Sequence, residues 1–576
     1  MKPVISLGNQ SFEELRRNHS FYVDKTLLIQ EWWENQDSVT LVTRPRRFGK
    51  TLNLNTLECF FSNRYAERSD LFEGLAIWKQ EKYRQLQGTY PLIFLSFASI
   101  KETDYATARR KICQLLADMY MQYGFLLEGD CLAMPEKDTF RRKTIDMDDV
   151  DATLALHQLS HYLCRYYGKK VIILLDEYDT PLQEAYVNGY WDQMTGFIRS
   201  MFNASFKTNP CMERALLTGI TRVSKESIFS DLNNMTVVTT TSEKYCTRFG
   251  FTESEVFDAL ECFGLPEEKE QVKKWYDGFT FGSQRDIYNP WSITCFLDER
   301  LYKPYWANTS SNSLISLLIR QGKPDIKMTL EDLMNGNALV TEIDEEIIFD
   351  QLYRNPDSIW SLLLASGYLR TEERTFDQET GIFTYALKLT NKEVAIMFRN
   401  MIKDWFADGD VPYNEFLKAM LCDDVKIMNR YMNKVALETF SSFDSGKKPS
   451  KETNPERFYH GFVLGLMVEL AGRYRITSNR ESGFGRYDVM LEPIKDTDPA
   501  FVLEFRVHDP EDEASLADTV NAALAQITEK AYDSELAARG ISRDRIRHYG
   551  FAFEGKKVLI GQEADQAKKR KSPETG

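Results

Sequence analysis

Short apolar runs alternate with stretches of helical periodicity over the first 250 residues. The runs are rich in β-branched and aliphatic residues, which predicts buried strands, and the stretches between them repeat apolar residues with the spacing of a helix. Strands are predicted at 38–43, 91–97, 171–175, 213–220 and 235–240, and helices at 51–61, 104–123 and 151–167. A polar stretch at 136–149 is expected to be an inserted loop. The alternation predicts a parallel sheet covered on both faces, a three-layer α/β fold.

The pattern becomes mainly helical between residues 253 and 401, with turns at Tyr-Asp-Gly and Asn-Pro-Trp. Large aromatic residues punctuate this region, and we expect them to fill a core, with stacking on nucleic-acid bases as the alternative. They include Trp275, Tyr276, Trp291, Trp306 and Trp360. A helical segment at 412–442 precedes a polar stretch, 444–451, that is typical of a linker. A further helix is predicted at 456–470, followed by a turn that leads into a strand at 483–491 and by a strand at 501–507.

The segment Leu41–Thr51 runs from an apolar strand into Gly-Lys-Thr and then into a helix. In a phosphate-binding loop, backbone amides and a helix start face the phosphates, a lysine reaches the β and γ groups, and a threonine hydroxyl binds Mg²⁺. Gly49, Lys50 and Thr51 fit these roles. The full Walker A pattern requires glycine at position 44, where this chain has Arg44. A plain helix start therefore stays open as the alternative.

A second apolar strand ends abruptly in acids, at Asp176 and Glu177. This is the Walker B pattern, in which Asp176 would hold Mg²⁺ directly or through water, and Glu177 would polarise the attacking water as general base. Ligands bind at the carboxyl ends of strands in open α/β sheets, so we expect this acid pair on a strand neighbouring the Lys50 loop. A buried strand followed by an acidic turn is the alternative, and the presence of both motifs favours nucleotide binding.

The fourth predicted strand ends in two further candidates. Thr218 is expected to sense the γ-phosphate, and Arg222 is expected to stabilise charge in the transition state. Such an arginine can act within its own chain or on a neighbouring subunit, which makes a homo-oligomer one option. Ordinary loop chemistry explains both residues equally well.

Seen together, several short motifs point to a known family. They are Ser11–Glu13, Tyr22–Thr26, Arg44–Thr51, Leu217–Ile220, Trp275–Phe279, Tyr288–Ser292 and Ser366–Leu369. The chain resembles bacterial AAA-ATPase-like proteins that carry a C-terminal nuclease-like domain of the PD-(D/E)XK superfamily, over nearly its whole length. The resemblance implies that Arg44 is a trait of the family, and that Arg46 and Arg47 help to hold phosphate oxygens.

The resemblance also implies a domain organisation. The fold class is α/β, with an N-terminal P-loop (ASCE-type) three-layer parallel sheet, a helical and winged-helix-like middle region, and a C-terminal α/β restriction-endonuclease-like domain. The expected divisions are an ATPase-like domain at 1–250, a lid and middle domain at 251–400, a helical connector and linker at 401–450, a nuclease-like domain at 451–561, and a basic disordered tail at 562–576.

Charged residues interrupt the last apolar strand, since Glu504 and Arg506 lie two apart and share one face. Nucleases of the resembled superfamily hold Mg²⁺ with an Asp and a Glu on adjacent strands, and a nearby Lys steadies the charged phosphorane. Asp488, Glu504 and Arg506 match that layout, and the resemblance adds Glu456 as an acid on a helix and Gln526 as a supporting polar residue. Arginine keeps the positive charge but cannot act as a base. A buried ion pair between Glu504 and Arg506 in an inactive relic is the alternative.

Composition narrows the class of protein. The formal net charge of −14 argues against a chain coated for nucleic-acid binding, although it allows a local basic channel. Nine scattered cysteines and six histidines speak against a zinc site or a disulfide framework, and favour a reducing cytoplasm. No apolar run approaches the roughly 18 residues that cross a bilayer, and residues 1–20 show no targeting pattern, so no membrane association is expected.

The sequence as a whole predicts a hydrolase that binds and hydrolyses ATP and is coupled to a metal-dependent nuclease-like domain. The expected cofactors are ATP and Mg²⁺, and the expected partner is nucleic acid, DNA in the first place, in defence against foreign DNA or in mobile-element biology. One alternative is a nucleotide-gated regulatory or scaffold protein whose nuclease-like domain is inactive. A purely structural protein is a further alternative, which the paired Walker-like motifs disfavour.

Overall fold

The structure is a computed structural model, which describes most residues of the chain. They are 3–221, 229, 232–307, 315–316, 318–319, 324–334, 336–344, 358–407, 414–439, 463, 467, 470, 473–482, 485–495, 498–510 and 512–562. The chain divides into two compact units. The first comprises Met1–Leu318 and Gly336–Ala395, and the second comprises Ile319–Asn335 and Ile396–Gly576.

Helices and strands alternate along the first unit, and the described part of the second unit ends in three strands, two helices and two further strands. In chain order the helices are α1 (Phe12–Arg17), α2 (Leu27–Asn35), α3 (Lys50–Phe61), α4 (Glu81–Arg84), α5 (Tyr105–Met121), α6 (Met134–Arg141), α7 (Asp149–Thr153), α8 (Ala155–Tyr167), α9 (Thr180–Asn188), α10 (Trp191–Phe202), α11 (Glu253–Cys262), α12 (Lys269–Tyr276), α13 (Pro290–Glu299), α14 (Pro324–Met334), α15 (Ser358–Ala365), α16 (Lys392–Ala407), α17 (Asn414–Leu421), α18 (Val425–Thr439), α19 (Leu516–Glu529) and α20 (Ser534–Ala538). The strands are β1 (Val39–Thr43), β2 (Leu92–Ser96), β3 (Val171–Asp176), β4 (Met212–Gly219), β5 (Met235–Val238), β6 (Phe251–Thr252), β7 (Phe279–Phe281), β8 (Gln284–Tyr288), β9 (Leu339–Glu342), β10 (Leu369–Phe376), β11 (Phe383–Leu389), β12 (Tyr474–Ser482), β13 (Gly485–Pro493), β14 (Ala500–Val507), β15 (Ile546–Glu554) and β16 (Lys557–Gln562).

The first five strands form a parallel sheet in the order β2-β3-β4-β1-β5. Every residue of β1 and β3 is buried, as expected for central strands covered on both faces. The predicted strands and the parallel three-layer fold are therefore confirmed. The expected adjacency of the two motif strands is wrong, because β4 lies between β1 and β3. The carboxyl end of β4 consequently meets the ends of both.

The predicted loop at 136–149 is partly helical, since most of α6 and the first residue of α7 lie within it. The stretch is polar overall, but two features anchor it to the domain. The ring centroid of buried Phe140 lies 4.8 Å from that of Tyr120, and buried Lys143 pairs with Asp151 at 2.6 Å. A few buried contacts were enough to order a segment whose composition is typical of a loop.

The middle region combines helices with two small antiparallel sheets, β6-β8-β7 and β10-β11-β9. The sequence pattern showed the helices more clearly than the strands, because a strand as short as β7 is too brief to display alternation. Trp306 and Trp360 are buried, and Trp275 packs against the same core as Tyr276, as expected for aromatic residues that fill a core. Trp291 packs against that core as well, and it also contacts the Lys50 loop.

The second unit is built on a five-stranded sheet in the order β12-β13-β14-β15-β16, in which only the β14–β15 pairing is parallel. Helices α17 and α18 share one hydrophobic core with this sheet. Met420 and Met432 from the helices lie in one cluster with Phe505 and Phe551 from the strands. The sequence pattern predicts a connector between domains at 401–450, whereas these helices belong to the second unit and share its core. The linker at 444–451, most of the helix at 456–470, and all of the tail at 562–576 except its first residue lie outside the described residues.

Two asparagines of α18 bind the outermost strand of this sheet. The amide nitrogen of Asn429 donates to the carbonyl of Ile560 at 2.8 Å, and its oxygen accepts from the N–H of the same residue at 2.8 Å. Asn433 binds Val558 in the same way, at 2.6 and 3.0 Å. Because β16 pairs only with β15 among the described strands, these side chains supply partners for its free backbone groups.

A fully buried carboxylate holds the middle region together. Glu393, in the first turn of α16, accepts from the hydroxyl of Ser292 at 2.9 Å and from the N–H groups of Trp306 and Ala307 at 2.5 and 3.4 Å. Burial raises its pKa from 4.5 to about 7, and the hydrogen bonds oppose that shift only in part.

We expect Glu393 to make the first unit less stable as pH rises. A folded-state pKa above the unfolded value means that the contribution of this group to stability is fully present below pH 4.5 and is lost as pH rises through about 7. The difference, 7 − 4.5 = 2.5 pKa units, corresponds to at most about 3 kcal/mol. In Glu393→Gln the side-chain amide still accepts hydrogen bonds but releases no proton. The test is to measure the thermal unfolding midpoints of the wild type and of Glu393→Gln at pH values from about 5 to about 8, spaced by roughly one pH unit. Parallel pH profiles of the two proteins would contradict the prediction.

Candidate functional site

The loop between β1 and α3 folds back on its own lysine. Gly49 adopts a left-handed backbone with φ of 78°, which glycine tolerates without strain. The ammonium of Lys50 is buried and donates to the carbonyls of Arg44 and Pro45 at 2.9 and 2.8 Å. Burial lowers the pKa of Lys50, while the nearby carboxylates Glu177 and Asp176 raise it.

The carboxylate of Asp176 is buried between two hydroxyl groups. Thr51, in the first turn of α3, donates to its Oδ2 at 2.7 Å, and Thr218, near the end of β4, donates to its Oδ1 at 2.5 Å. Burial raises the pKa of Asp176, and the two hydrogen bonds lower it. The structure thus brings Thr51, Asp176 and Thr218 together at the carboxyl end of the sheet, beside Lys50.

Glu177 follows Asp176 in a left-handed conformation, with φ of 50°. Its N–H donates to the hydroxyl of Thr218 at 3.4 Å, and its carboxylate accepts from the hydroxyl of Thr180 at 3.1 Å. A non-glycine residue held in this backbone region is strained, and such strain is concentrated at functional sites. The side chain is half-buried, so it is reachable by solvent.

Arg44 stands where a standard phosphate-binding loop has glycine, and its side chain is part of the protein interior. The guanidinium is fully buried, donates to the carbonyls of Thr239 and Thr43 at 2.6 and 2.9 Å, and lies 4.5 Å from the ring centroid of Phe281. Burial lowers its pKa to about 9. The side chain of Arg44 therefore supports the loop from the protein interior, a structural role that glycine could not fill.

The two arginines that were expected to hold phosphate have different neighbours. Arg46 is half-buried, its Nη2 lies 3.5 Å from Oε1 of Gln183, and its charge is one of those that lower the pKa of Lys50. Arg47 is exposed, has φ of 66°, and places its guanidinium carbon 4.5 Å from the ring centroid of Trp291. Arg222 lies outside the described residues.

Sequence reasoning missed a buried acid that organises the end of β4. Oδ2 of Asp179 accepts from the N–H groups of Ile220 and Thr221 at 2.9 and 3.0 Å, and from Nε2 of Gln183 at 2.9 Å. Tyr178 donates its hydroxyl to the carbonyl of Thr221 at 2.7 Å. The signal was present in the second aspartate of Asp-Glu-Tyr-Asp, but nothing in the sequence indicated which segment it would hold.

A second cluster of acids lies in the second unit. The antiparallel register sets Val489 opposite Leu503, so Asp488, one residue before Val489, and Glu504, one residue after Leu503, are opposite each other and share a face. Asp488 Oδ2 accepts from the N–H of Phe505 at 2.7 Å, and Gln526 from α19 donates to the buried carboxylate of Glu504. Three of the predicted residues are thereby brought together, and Glu456 lies outside the described residues.

Arg506 has a different partner from the one proposed as the alternative. In the part of the chain that the structure describes, the carboxylate within 4 Å of its guanidinium is that of Glu513, at 3.9 Å. Glu513 also accepts from the hydroxyl of Thr519 and lies 3.4 Å from Nδ1 of His508. Glu513 stands in the turn after β14, where sequence reasoning did not look for a partner, and Arg506 remains 39% exposed.

Both clusters have the donor atoms that Mg²⁺ prefers. Thr51 and Asp176 offer a hydroxyl and a carboxylate, and Asp488 and Glu504 offer two carboxylates. Hard oxygen donors of this kind, in small numbers, are typical of protein sites for Mg²⁺ that also bind phosphate groups. The residues present therefore fit the metal at both places.

Comparison with known proteins agrees with this geometry. Residues 6–229 match the family model described as a predicted AAA-ATPase, and residues 454–563 match that of the PD-(D/E)XK nuclease superfamily. The chain joins an AAA-ATPase-like domain to a PD-(D/E)XK domain. The AAA-ATPase-like match ends within the segment that follows β4, and the PD-(D/E)XK match covers the sheet that carries Asp488 and Glu504.

Similarity to a curated protein extends over nearly the whole chain. The chain is 25% identical over 567 residues to an "Uncharacterized protein in vnfD 5'region" of Azotobacter chroococcum mcd 1, covering 96% of this chain and 98% of that protein. A solved structure of the Aeropyrum pernix ORC2 protein in ADPNP-ADP complexes is 11% identical, with a TM-score of 0.22, over 69% of this chain and 95% of the other. A likeness this weak carries no argument.

Within the described part of the chain, no helix is long and apolar enough to cross a membrane.

We expect Gly219→Ala to disrupt the end of β4. A Cβ added there would lie 2.6 Å from Cε1 of Tyr178 and 2.8 Å from Oδ1 of Asp179, closer than real Cβ contacts. The resulting displacement should lower the free energy of unfolding of the first unit by roughly 1–3 kcal/mol. Gly196→Ala, in α10, is the matched control, because a Cβ there meets nothing within 4 Å. Urea unfolding of both variants measures the effect, and equal midpoints would contradict it.

Proposed function

We propose that the AAA-ATPase-like domain binds ATP with Mg²⁺ and hydrolyses it, and that the PD-(D/E)XK domain cleaves nucleic acid under the control of the bound nucleotide. The observation that carries the first part is the buried carboxylate of Asp176, held by hydroxyl groups from both α3 and β4 beside the ammonium of Lys50. Two phosphate-directed chemistries on one chain support the second part.

Phosphate binding rests on the start of α3 and on Lys50. The first backbone N–H groups of a helix lack partners within the helix, and its dipole favours a negative charge there. Lys50 now donates to two carbonyl oxygens, and it would exchange these for the more negative oxygens of the β- and γ-phosphates, a charge-assisted bond of greater strength. Arg46, whose charge already lowers the pKa of Lys50, would add a second cation.

Hydrolysis requires a group that orients and deprotonates water. Glu177 is the carboxylate next to Asp176 whose side chain is half-buried, and we assign it the role of general base. Thr218 donates to Asp176 and accepts from the N–H of Glu177, so it fixes both acids at once. Mg²⁺ held by Thr51 and Asp176 would neutralise charge on the phosphates. Arg222 keeps its proposed role, acting on its own chain or on a neighbouring copy in a homo-oligomer.

In the PD-(D/E)XK domain, we assign Asp488 and Glu504 to Mg²⁺ and Gln526 to the orientation of Glu504. Arg506 would donate to the scissile phosphate and steady its negative charge. A guanidinium keeps its proton at neutral pH, so the attacking water must lose its proton elsewhere. The residue is half-exposed, and a phosphate group would compete with Glu513 for it.

A second function has its own support. The ion pair between Arg506 and Glu513 favours a PD-(D/E)XK domain that binds nucleic acid or a protein partner without cutting, in a nucleotide-gated regulatory or scaffold protein.

We place the protein in a reducing cytoplasm, supported by nine cysteines that are all free. The biological setting that we infer is defence against foreign DNA or mobile-element biology.

ATP hydrolysis should depend on both Lys50 and Glu177. We expect Lys50→Ala to lower kcat/KM by about 10²-fold or more, because a charged donor to the phosphates is lost. Glu177→Gln should keep ATP binding and lower kcat by about 10²-fold to 10⁴-fold, because the base is lost. Phosphate release and calorimetric ATP binding measure the two effects. Lys101→Ala, an exposed lysine of the same domain, is the control, and hydrolysis by Lys50→Ala at the rate of that control would refute the proposal.

Nucleic-acid cleavage should depend on Asp488. With Mg²⁺ or Mn²⁺ present, we expect the intact protein to cut DNA, and Asp488→Ala to lower the rate by about 10²-fold or more, because a metal ligand is lost. Asp498→Asn is the matched control, since Asp498 pairs with Arg473 at 2.7 Å outside the acid cluster. Binding without cleavage by every variant, wild type included, would favour the scaffold function instead.

A further inference from the structure

The outer side of the phosphate-binding loop is held by the middle region of the first unit. The ring of Phe48 lies 4.7 Å from that of Phe279, and Gly250 donates its N–H to the carbonyl of Phe48 at 3.3 Å. Gly367 approaches Pro45 so closely that an added Cβ would lie 2.7 Å from its ring. Gly250, Phe279 and Gly367, which are far from the loop in the sequence, therefore all contact it.

The start of α13 makes the polar part of this contact. Asn289 caps the helix by accepting from the N–H of Trp291 at 2.9 Å, and its amide nitrogen donates to the carbonyl of Arg46 at 3.3 Å. The ring of Trp291 lies under the guanidinium of Arg47 at 4.5 Å. One helix end thus grips two consecutive residues of the loop, one through its backbone and the other through its side chain.

These two residues directly follow the carbonyls that Lys50 binds. The ammonium of Lys50 donates to the carbonyls of Arg44 and Pro45, and the peptide units that come next carry the contacts to α13. A phosphate group that draws Lys50 away from these carbonyls frees the same turn of backbone. The turn already contains a non-glycine residue with positive φ, Arg47, which is costly to hold without the support of its neighbours.

We propose that Arg47 and Trp291 are positioning residues that report the nucleotide at Lys50 to the middle region through the first turn of α13. The inference deepens the proposed ATPase function and rests on it. The contact is suited to the task because Arg47 is exposed and Trp291 is half-buried, so the pair separates at a small cost compared with the packed contacts of Phe48.

Hydrogen exchange in residues 290–299 of the full-length protein, with and without saturating ATP and Mg²⁺, tests the proposal. In the wild type we expect nucleotide binding to raise the hydrogen-exchange rate of this helix by roughly threefold to tenfold, because the cation–π contact of Trp291 with Arg47 is lost. Trp291→Ala should keep ATP binding and lose this response. Arg47→Gln should lose it too, and Trp291→Phe, which keeps an aromatic face, should restore it.

Trp275→Ala is the matched control, because Trp275 carries a cation of its own, with Nζ of Lys392 at 4.0 Å from the ring, in the same region. It should keep the response. If Trp291→Ala binds ATP and still responds like the wild type, the inference is overturned while the ATPase proposal stands. If Trp291→Ala loses ATP binding, the ring contacts the nucleotide itself and the inference is again overturned. Failure of the wild type to bind ATP overturns both.

Discussion

The carboxylate of Asp176, buried between the hydroxyls of Thr51 and Thr218, sets the arrangement of the first unit. A buried carboxylate costs several kcal/mol unless its oxygens are satisfied. The two donors come from the helix after β1 and from the end of β4. Both elements must therefore be in place for the buried carboxylate at the end of β3 to have its hydrogen bonds. The intervening position of β4 in the sheet is what allows this, because one strand end then reaches the acids and the loop together.

Much of this could be predicted from the sequence. Apolar runs located the strands of the parallel sheet, and short motifs indicated that Lys50, Thr51 and Asp176 would meet. Other partners depend on tertiary packing that periodicity does not report. The sequence shows that Arg44 departs from the Walker A pattern, but its structural role is visible only once its guanidinium is seen under the loop, and Glu513 reads as one acid of a polar turn until Arg506 is seen beside it. Helices α17 and α18 read as a connector because a helical pattern does not reveal what its apolar face covers.

The two units satisfy buried acids in a similar way. In each, an acid on a central strand receives a hydrogen bond from a neutral side chain of the adjoining element, Thr218 for Asp176 and Gln526 for Glu504. Neutral donors fix the position of a carboxylate and leave its negative charge available to a cation, whereas an arginine or lysine would cancel that charge. In the first unit, Lys50 is close enough to influence Asp176, but its ammonium donates to the carbonyls of Arg44 and Pro45 and not to the acid.

The asparagine pair of α18 has a practical consequence for how the chain can be divided. Asn429 and Asn433 complete the backbone pairing of β16 much as a further strand would. A fragment that begins after residue 450, as the sequence divisions alone would suggest, leaves the N–H and C=O groups of Val558 and Ile560 open to pairing with another molecule, which is a common route to aggregation. Fragments of the C-terminal half should therefore begin ahead of Asn414, so that the strand is closed by its own helix.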